Sequence, residues 1–202
     1  FGDPDQGTLA AEEIKNGGYT KVGAIYESSS SYSVGIYDAF KAEMAKLGIS
    51  YVEQKFDEEN NKDFSTQAEA LKDCDVIFMP FYYEAAALFI KTAVAKGSGA
   101  TFLGCDGFDG IAKQFTDADK VENPVMYITP FDAESSDAKV AAFVTAYKTK
   151  YNGETPDQFA ADAYDAVMAI YEAMKAANVS DPTISASDLC ELVKAKITDA
   201  SF

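Results

Sequence analysis

Arginine, histidine and tryptophan are all absent from the sequence, and the first two absences exclude whole classes of site. Without histidine there is no Ser-His or Cys-His nucleophile, no histidine-ligated zinc, and no imidazole acid or base near neutral pH. Without arginine there is no planar fork that could hold a phosphate or carboxylate through two hydrogen bonds. Lysine, cysteine, tyrosine and carboxylates can still support catalysis. We nevertheless expect a binding protein without catalytic residues, not an enzyme.

Positive charge is also scarce in this chain. Lysine supplies all 17 basic residues against 33 acidic ones, which gives a formal net charge of -16. Such a chain repels phosphate backbones and anionic membrane surfaces. We therefore expect no nucleic-acid partner.

Cysteine is represented by Cys74, Cys105 and Cys190, an odd number without a C-x-x-C spacing. Neither a redox motif nor a metal site is indicated, so we expect small buried apolar residues, with no metal ion and no cofactor. No stretch approaches the roughly 20 apolar residues of a membrane span. The first residues lack the basic-then-apolar plan of a signal peptide, so we do not expect an export signal within this chain.

What is present, between residues 21 and 129, is an alternation of short apolar runs with helical patterns. The runs predict strands and the patterns with a repeat near 3.6 residues predict helices. Strands are predicted at Lys21 to Tyr26, Ile49 to Phe56, Asp75 to Pro80, Thr101 to Cys105 and Pro124 to Thr129; helices at Ser33 to Leu47, Asp63 to Lys72 and Tyr83 to Lys96, with a short one from Ile111. This order predicts an α/β fold, a Rossmann-like parallel sheet with helices on both faces.

The character of the chain changes after Pro130, where strand signals cease. Three successive helices are predicted, at Asp137 to Tyr151, Asp157 to Ala177 and Ser185 to Ile197. The polar segment Phe131 to Ser136 reads as a linker between two parts of the chain. We therefore predict one domain over residues 1–131 and a helical segment over residues 132–202.

Candidate ligand-binding residues lie directly after the predicted strands, because ligands of open parallel sheets bind beyond the carboxyl ends of the strands. The first strand is followed by a serine-rich loop that ends at Ser31 and Tyr32, the third by Tyr82, and the fourth by Asp106. Asp106 could accept hydrogen bonds from a cationic group, and the two tyrosine rings could contact an ammonium and apolar atoms. This set suits an α-amino acid. The simpler alternatives are a loop or capping aspartate and tyrosines that pack at the edge of the sheet.

Several segments occur in order along nearly the whole chain: Asp3 to Gly7 (DPDQG), KVGAIY from Lys21, the serine-rich loop that continues through Tyr32 to Gly35, Lys62 to Thr66 (KDFST), Phe81 to Ala86 (FYYEAA), Phe102 to Gly107 (FLGCDG), and the regions Phe143 to Tyr151 and Phe159 to Tyr164. They resemble signatures of the branched-chain amino-acid-binding proteins, the leucine/isoleucine/valine-binding family. None of these motifs is specific alone, but together and in register they indicate the family.

This resemblance implies a type I periplasmic binding protein, in which two α/β lobes close on the ligand. Residues 1–131 would be the second lobe, and residues 132–202 would be the crossover and C-terminal helices that normally pack on the first lobe, which is absent here. Ser31, Tyr32 and Tyr82 would line the pocket and Asp106 would take the ligand's ammonium. Phe159 would contact the ligand's side chain.

The resemblance also implies a function, a location and partners. The protein would be the substrate-binding component of an ABC importer, delivering an amino acid, branched-chain or similar, to the permease subunits in the membrane. It would work in the periplasm or at the extracellular surface, lipid-anchored or secreted. In this chain alone, the apolar stripe on the C-terminal helices would be buried against its own sheet or against a second copy in a homodimer. The stripe consists of Phe143, Val144 and Tyr147 on one helix and Phe159, Tyr164, Val167, Ile170 and Tyr171 on the next.

Two other interpretations stay open at this point. The same lobe architecture serves as the ligand-sensing domain of receptors and regulators, and a flavodoxin-like enzyme has a similar sheet. The enzyme is disfavoured because the Ser28 to Gly35 loop lacks a G-x-G-x-x-G pattern and a P-loop lysine. The identity of the ligand also stays open between several amino acids, an amide and another small amine.

Overall fold

A computed structural model describes residues 2–199, with the side chain of Asp199 left out. The chain divides into two compact units, Phe1–Pro130 and Phe131–Phe202. The first unit combines a sheet with helices and the second is helical. The assignment of these units to the lobes of a larger two-lobed protein stays a prediction.

The first unit contains a five-stranded parallel sheet with the strand order β2-β1-β3-β4-β5. The strands are β1 Val22–Glu27, β2 Tyr51–Phe56, β3 Val76–Met79, β4 Thr101–Gly104 and β5 Val125–Tyr127. The predicted fold class is therefore confirmed, with each strand shorter than or equal to its predicted run. Because the three central strands are buried on both faces, their sequences read as continuous apolar runs.

Four α-helices cover the sheet: α1 Asp3–Asn16, α2 Ser31–Leu47, α3 Ser65–Ala70 and α4 Tyr83–Ala95. Helix α2 has a clear start and stop, because the Ser30 side chain accepts a hydrogen bond from the Ser33 backbone N–H and Gly48 ends the helix with a left-handed φ of 69°. Helix α3 is shorter than predicted. Asp63 lies one residue before its N-cap, Phe64, and instead accepts a hydrogen bond from the Ser65 N–H at 2.9 Å.

Two apolar clusters fill the two faces of the sheet. Alternate residues of one strand point to opposite faces, so Ile77 and Met79 of β3 join one cluster while Val76 and Phe78 join the other. Helices α3 and α4 cover the first face and helices α1 and α2 the second. The predicted short helix from Ile111 is a 3₁₀ helix, Ile111–Gln114, that also packs on the first face.

Helix α1 was not among the predicted helices, yet it packs closely on α2. Its buried side is formed by three small residues, Gly7, Ala10 and Ala11, together with Gln6 and Ile14. A Cβ atom on Gly7 would stand 2.2 Å from the Ile36 carbonyl oxygen and 2.7 Å from the Phe40 nitrogen. The two helix backbones therefore approach each other at a point that only glycine allows.

The second unit consists of α5 Ala138–Lys150, α6 Gln158–Ala176 and α7 Ala186–Lys194, followed by a 3₁₀ turn at Ile197–Asp199. Each α-helix begins at a side-chain cap, Asp137, Asp157 and Ser185 respectively. Phe143 of α5 contacts other parts of the unit. Its ring centroid lies 5.0 Å from that of Tyr164 in α6 and 6.2 Å from that of Phe131. In the described part of the chain, no helix is long and apolar enough to cross a membrane.

Candidate functional site

Three of the five predicted site residues lie together at the carboxyl edge of the sheet. Tyr32 stands in the first turn of α2 after β1, Tyr82 is the N-cap residue of α4 after β3, and Asp106 opens a 3₁₀ turn after β4. Strands β1, β3 and β4 are consecutive neighbours in the sheet. Because the strands are parallel, their carboxyl ends share one edge, and the residues that follow them converge there.

The Tyr32 hydroxyl is the centre of this arrangement. It donates a hydrogen bond to Oδ1 of Asp106 and accepts one from the Gly107 backbone N–H at 3.0 Å. The Cys105 sulfur also lies 3.0 Å from the same oxygen. The hydroxyl thus connects three successive residues of the loop after β4.

The Tyr32 and Tyr82 rings stack on each other, with their centroids 4.8 Å apart and their planes 19° apart. Tyr82 is the outer ring and stays 46% exposed, whereas Tyr32 is half-buried. A carboxylate next to a half-open pair of electron-rich rings is a suitable surface for a small ammonium group with an apolar body.

Burial keeps the tyrosine and cysteine side chains of the site protonated. Burial raises the pKa of Tyr32 far above its usual range, and the nearby Cys105 and Asp106 act in the same direction. Burial also raises the pKa of the Cys105 thiol to about 12, although the Tyr32 hydrogen bond opposes this. The phenol of Tyr32 therefore has a proton to donate to Asp106 throughout the physiological pH range.

Helix α1 contributes two residues to the site that were not predicted from the sequence. Gln6 accepts a hydrogen bond from the Asp106 backbone N–H at 2.8 Å through its side-chain oxygen, although the two residues are 100 positions apart. Asp3, one turn earlier, has a raised pKa because it is partly buried and because it feels the negative charge of Asp106. The DPDQG motif was the available signal, but it pointed to the family and gave no reason to place these residues at the site.

Glu27 adds a further carboxylate at the end of β1. Partial burial and the charge of Glu58 raise its pKa, while a hydrogen bond from Ser29 lowers it. The pKa of Tyr82 is raised first by burial and then by the charges of Asp106, Asp3, Cys105 and Glu27. This edge of the sheet is therefore a region of negative potential.

The other two predicted residues are less closely tied to this arrangement. Ser31 is exposed at the start of α2, and the cap of that helix is its neighbour Ser30. Phe159 lies in the helical unit, near the start of α6, and is 39% exposed. Their roles in ligand binding stay predictions.

The described residues contain no group of three or more cysteine or carboxylate side chains that could hold a metal ion. What the site offers is hydrogen-bond acceptors and aromatic surface. Both are means of recognising a small ligand.

The model of the family described as "Periplasmic binding protein" matches residues 2–191. This chain belongs to that family. A curated relative, the Leu/Ile/Val-binding protein BraC3 of Rhizobium johnstonii, is 26% identical over 167 residues, which are 82% of this chain and 44% of that protein. The resemblance to leucine/isoleucine/valine-binding proteins drawn from the motifs is thereby confirmed.

Solved structures of this family share the fold. The leucine-binding protein LivK of Thermotoga maritima is 26% identical, with a TM-score of 0.80 over 96% of this chain and 54% of its own. The branched-chain amino-acid transporter substrate-binding protein LivJ of Streptococcus pneumoniae, solved with isoleucine, is also 26% identical, with a TM-score of 0.78 over 97% of this chain and 54% of its own. The chain thus spans about half the length of the proteins that it matches.

Proposed function

We propose that this chain forms one jaw of a two-lobed amino-acid-binding protein that serves an ABC importer. The observation that carries the proposal is the position of Asp106 beside the stacked rings of Tyr32 and Tyr82 at the carboxyl edge of the sheet. Membership of the periplasmic binding protein family and the similarity to Leu/Ile/Val-binding proteins support the same function.

In the proposed complex the ligand is an amino acid, branched-chain or similar, whose ammonium is accepted by Asp106. The exposed part of Tyr82 covers the ligand's apolar atoms and contributes its ring face to the ammonium. Ser31 and Phe159 are further proposed contacts. This chain has no arginine that could hold the ligand's carboxylate through two hydrogen bonds, and we propose that the opposite lobe supplies the donors for it.

The proposed protein works in the periplasm or at the extracellular surface and passes its ligand to the permease subunits. The family consists of binding proteins, and we propose that this chain likewise binds its ligand without turnover. With no histidine in the sequence and a Cys105 thiol whose pKa is raised to about 12, neither an imidazole nor this thiol is available as a base or nucleophile near pH 7.

Replacing the aspartate tests the function directly. In the two-lobed protein, Asp106→Ala should weaken amino-acid binding by about 1.5 to 3 kcal/mol, the usual worth of a hydrogen bond to a charged group. This corresponds to a roughly tenfold to hundredfold loss of affinity, which isothermal titration with each of the common amino acids would measure.

Two controls make this experiment specific to the ammonium. The deaminated analogue of leucine, 4-methylpentanoate, should bind no better to the parent protein than leucine binds to the Asp106→Ala variant. Asp109→Ala, three residues along the same loop, should leave affinity nearly unchanged. Equal affinity of the Asp106→Ala variant and the parent for leucine would show that the ammonium lies elsewhere.

A further inference from the structure

We infer that Tyr32 is a positioning residue, whose hydroxyl holds the Asp106 carboxylate ready for the ligand and does not itself bind the ligand. The inference rests on the proposed function, because it assigns the role of a second residue at the same site. It differs from the expectation that both tyrosines simply line the pocket.

The Tyr32 hydroxyl has no hydrogen-bonding capacity left for a ligand. A phenol offers one proton and two lone pairs. The proton goes to Asp106 Oδ1, one lone pair takes the Gly107 N–H, and the Cys105 thiol, 3.0 Å away, can donate to the other. A ligand group could bind this hydroxyl only by displacing one of these three partners.

Asp106 keeps one carboxylate oxygen that a ligand could use. Its backbone N–H is held by Gln6 at 2.8 Å and its Oδ1 by Tyr32. Within residues 2–199 no hydrogen bond reaches the other carboxylate oxygen, Oδ2, and the residue is only partly buried. The backbone and one oxygen are therefore fixed, and the second oxygen is presented to the site.

The loop after β4 has a glycine, Gly107, where the Tyr32 hydroxyl approaches its backbone most closely. A Cβ atom on Gly107 would stand 2.8 Å from the Tyr32 oxygen and 3.2 Å from the Phe81 carbonyl oxygen. A side chain at this position would push the hydroxyl away from the Gly107 N–H. Glycine here allows the close approach that completes the three contacts of the hydroxyl.

The direct test uses this chain without any ligand. We compare the wild type with Tyr32→Phe, which keeps the ring stacked on Tyr82 and removes only the hydroxyl. Three-bond couplings measured by NMR should report a single χ1 rotamer for Asp106 in the wild type and averaging over rotamers in the variant. Gly107→Ala, which displaces the hydroxyl without deleting it, should produce the same averaging.

The second test measures L-leucine binding to the two-lobed protein in a double-mutant cycle. Tyr32→Phe should weaken binding about tenfold when Asp106 is present and less than twofold in the Asp106→Asn background, because the hydroxyl acts through that carboxylate. Tyr37→Phe is the matched control. It removes a comparable hydrogen bond to a carboxylate, that of Glu53, away from the site, and should change neither affinity nor the Asp106 rotamer.

The outcomes separate the two proposals. If Asp106 keeps one rotamer and leucine binding keeps its strength in Tyr32→Phe, the positioning role is wrong and the proposed function is untouched. An equal loss of affinity in both backgrounds would also overturn it, since the hydroxyl would then act on the ligand or on the fold. If the wild type binds no amine but the Asp106 side chain still averages over rotamers in Tyr32→Phe, the proposed function fails and the positioning role stands.

Discussion

At the scale of single residues, the three cysteines occupy distinct environments. Cys74 and Cys105 are buried as expected, but Cys190 is exposed, so the expectation of three buried cysteines is wrong for Cys190. The thiolate is the reactive form of cysteine, and burial raises the pKa of Cys105 to about 12 and also raises that of Cys74. Its exposure therefore sets Cys190 apart from the other two cysteines.

We predict that a thiol reagent at pH 8 modifies one cysteine in the folded chain and all three in denaturant. Mass spectrometry of peptides should place the fast modification on Cys190. Cys190→Ser, the control, should leave almost no fast-reacting thiol. Rapid modification of Cys105 in the folded chain would mean that the reagent reaches this buried thiol beside the Tyr32 hydroxyl.

Single residues also show which parts of the site could be predicted from the sequence and which could not. Tyr32, Tyr82 and Asp106 could be predicted as site residues because each lies in the loop or turn after an apolar run, and strand ends in a parallel sheet share an edge. The bond from Tyr32 to Asp106 could not, because it depends on side-chain directions across 74 positions of sequence. Nothing in the spacing of the two residues distinguishes a tyrosine that contacts the ligand from one that orients its partner.

At the scale of elements, helix α1 is the α-helix that the sequence pattern did not predict. Its buried side consists of Gln6, Gly7, Ala10, Ala11 and Ile14, so only one large apolar residue marks its repeat. Periodicity of apolar residues, the strongest signal for the other helices, is therefore weak here. The helix forms because small residues let it approach α2 closely, and this tertiary cause is not visible in local sequence.

Two glycines on the packed helices offer a matched experiment. Gly7→Ala should destabilise the fold by about 1 to 3 kcal/mol, because the new methyl group meets the backbone of α2 at 2.2 Å from the Ile36 oxygen. Gly35→Ala should stabilise it by up to about 1 kcal/mol, because Gly35 lies inside α2 with open space around its Cβ position.

Chemical denaturation of the two variants would measure both effects, with opposite signs expected. Equal stability of Gly7→Ala and the wild type would show that α1 can move away from α2 without cost. Since α1 also carries Gln6 and Asp3, we further expect Gly7→Ala, and not Gly35→Ala, to weaken ligand binding.

At the scale of the whole molecule, the helical unit leaves an apolar surface on α6. Tyr164, Val167, Ile170 and Tyr171 are 49%, 65%, 47% and 55% exposed, although they recur at helical spacing. A contiguous apolar surface of this kind usually belongs to an interface. The helical unit by itself therefore leaves this part of the stripe exposed, and its burial against the chain's own sheet or in a homodimer stays a prediction.

We expect this chain to self-associate in solution through the α6 surface. Sedimentation at increasing concentration should show a dimer for the wild type and a monomer for Val167→Lys, because a buried lysine without a partner is unfavourable. Asp165→Lys, on another side of the same exposed helix, is the control and should leave the dimer intact. A wild-type chain that stays monomeric at all concentrations would contradict the prediction.

The hydrogen bond between Gln6 and Asp106 affects when the proposed site is completed during synthesis and folding of the chain. It joins the first helix of the chain to the loop after the fourth strand, across 100 residues, and such distant contacts close late and slowly during folding. A chain emerging from the ribosome would already carry both tyrosines before Asp106 had been synthesised. The set of side chains that we propose for the ammonium is therefore complete only after the loop that follows β4 has been synthesised and has bonded to α1.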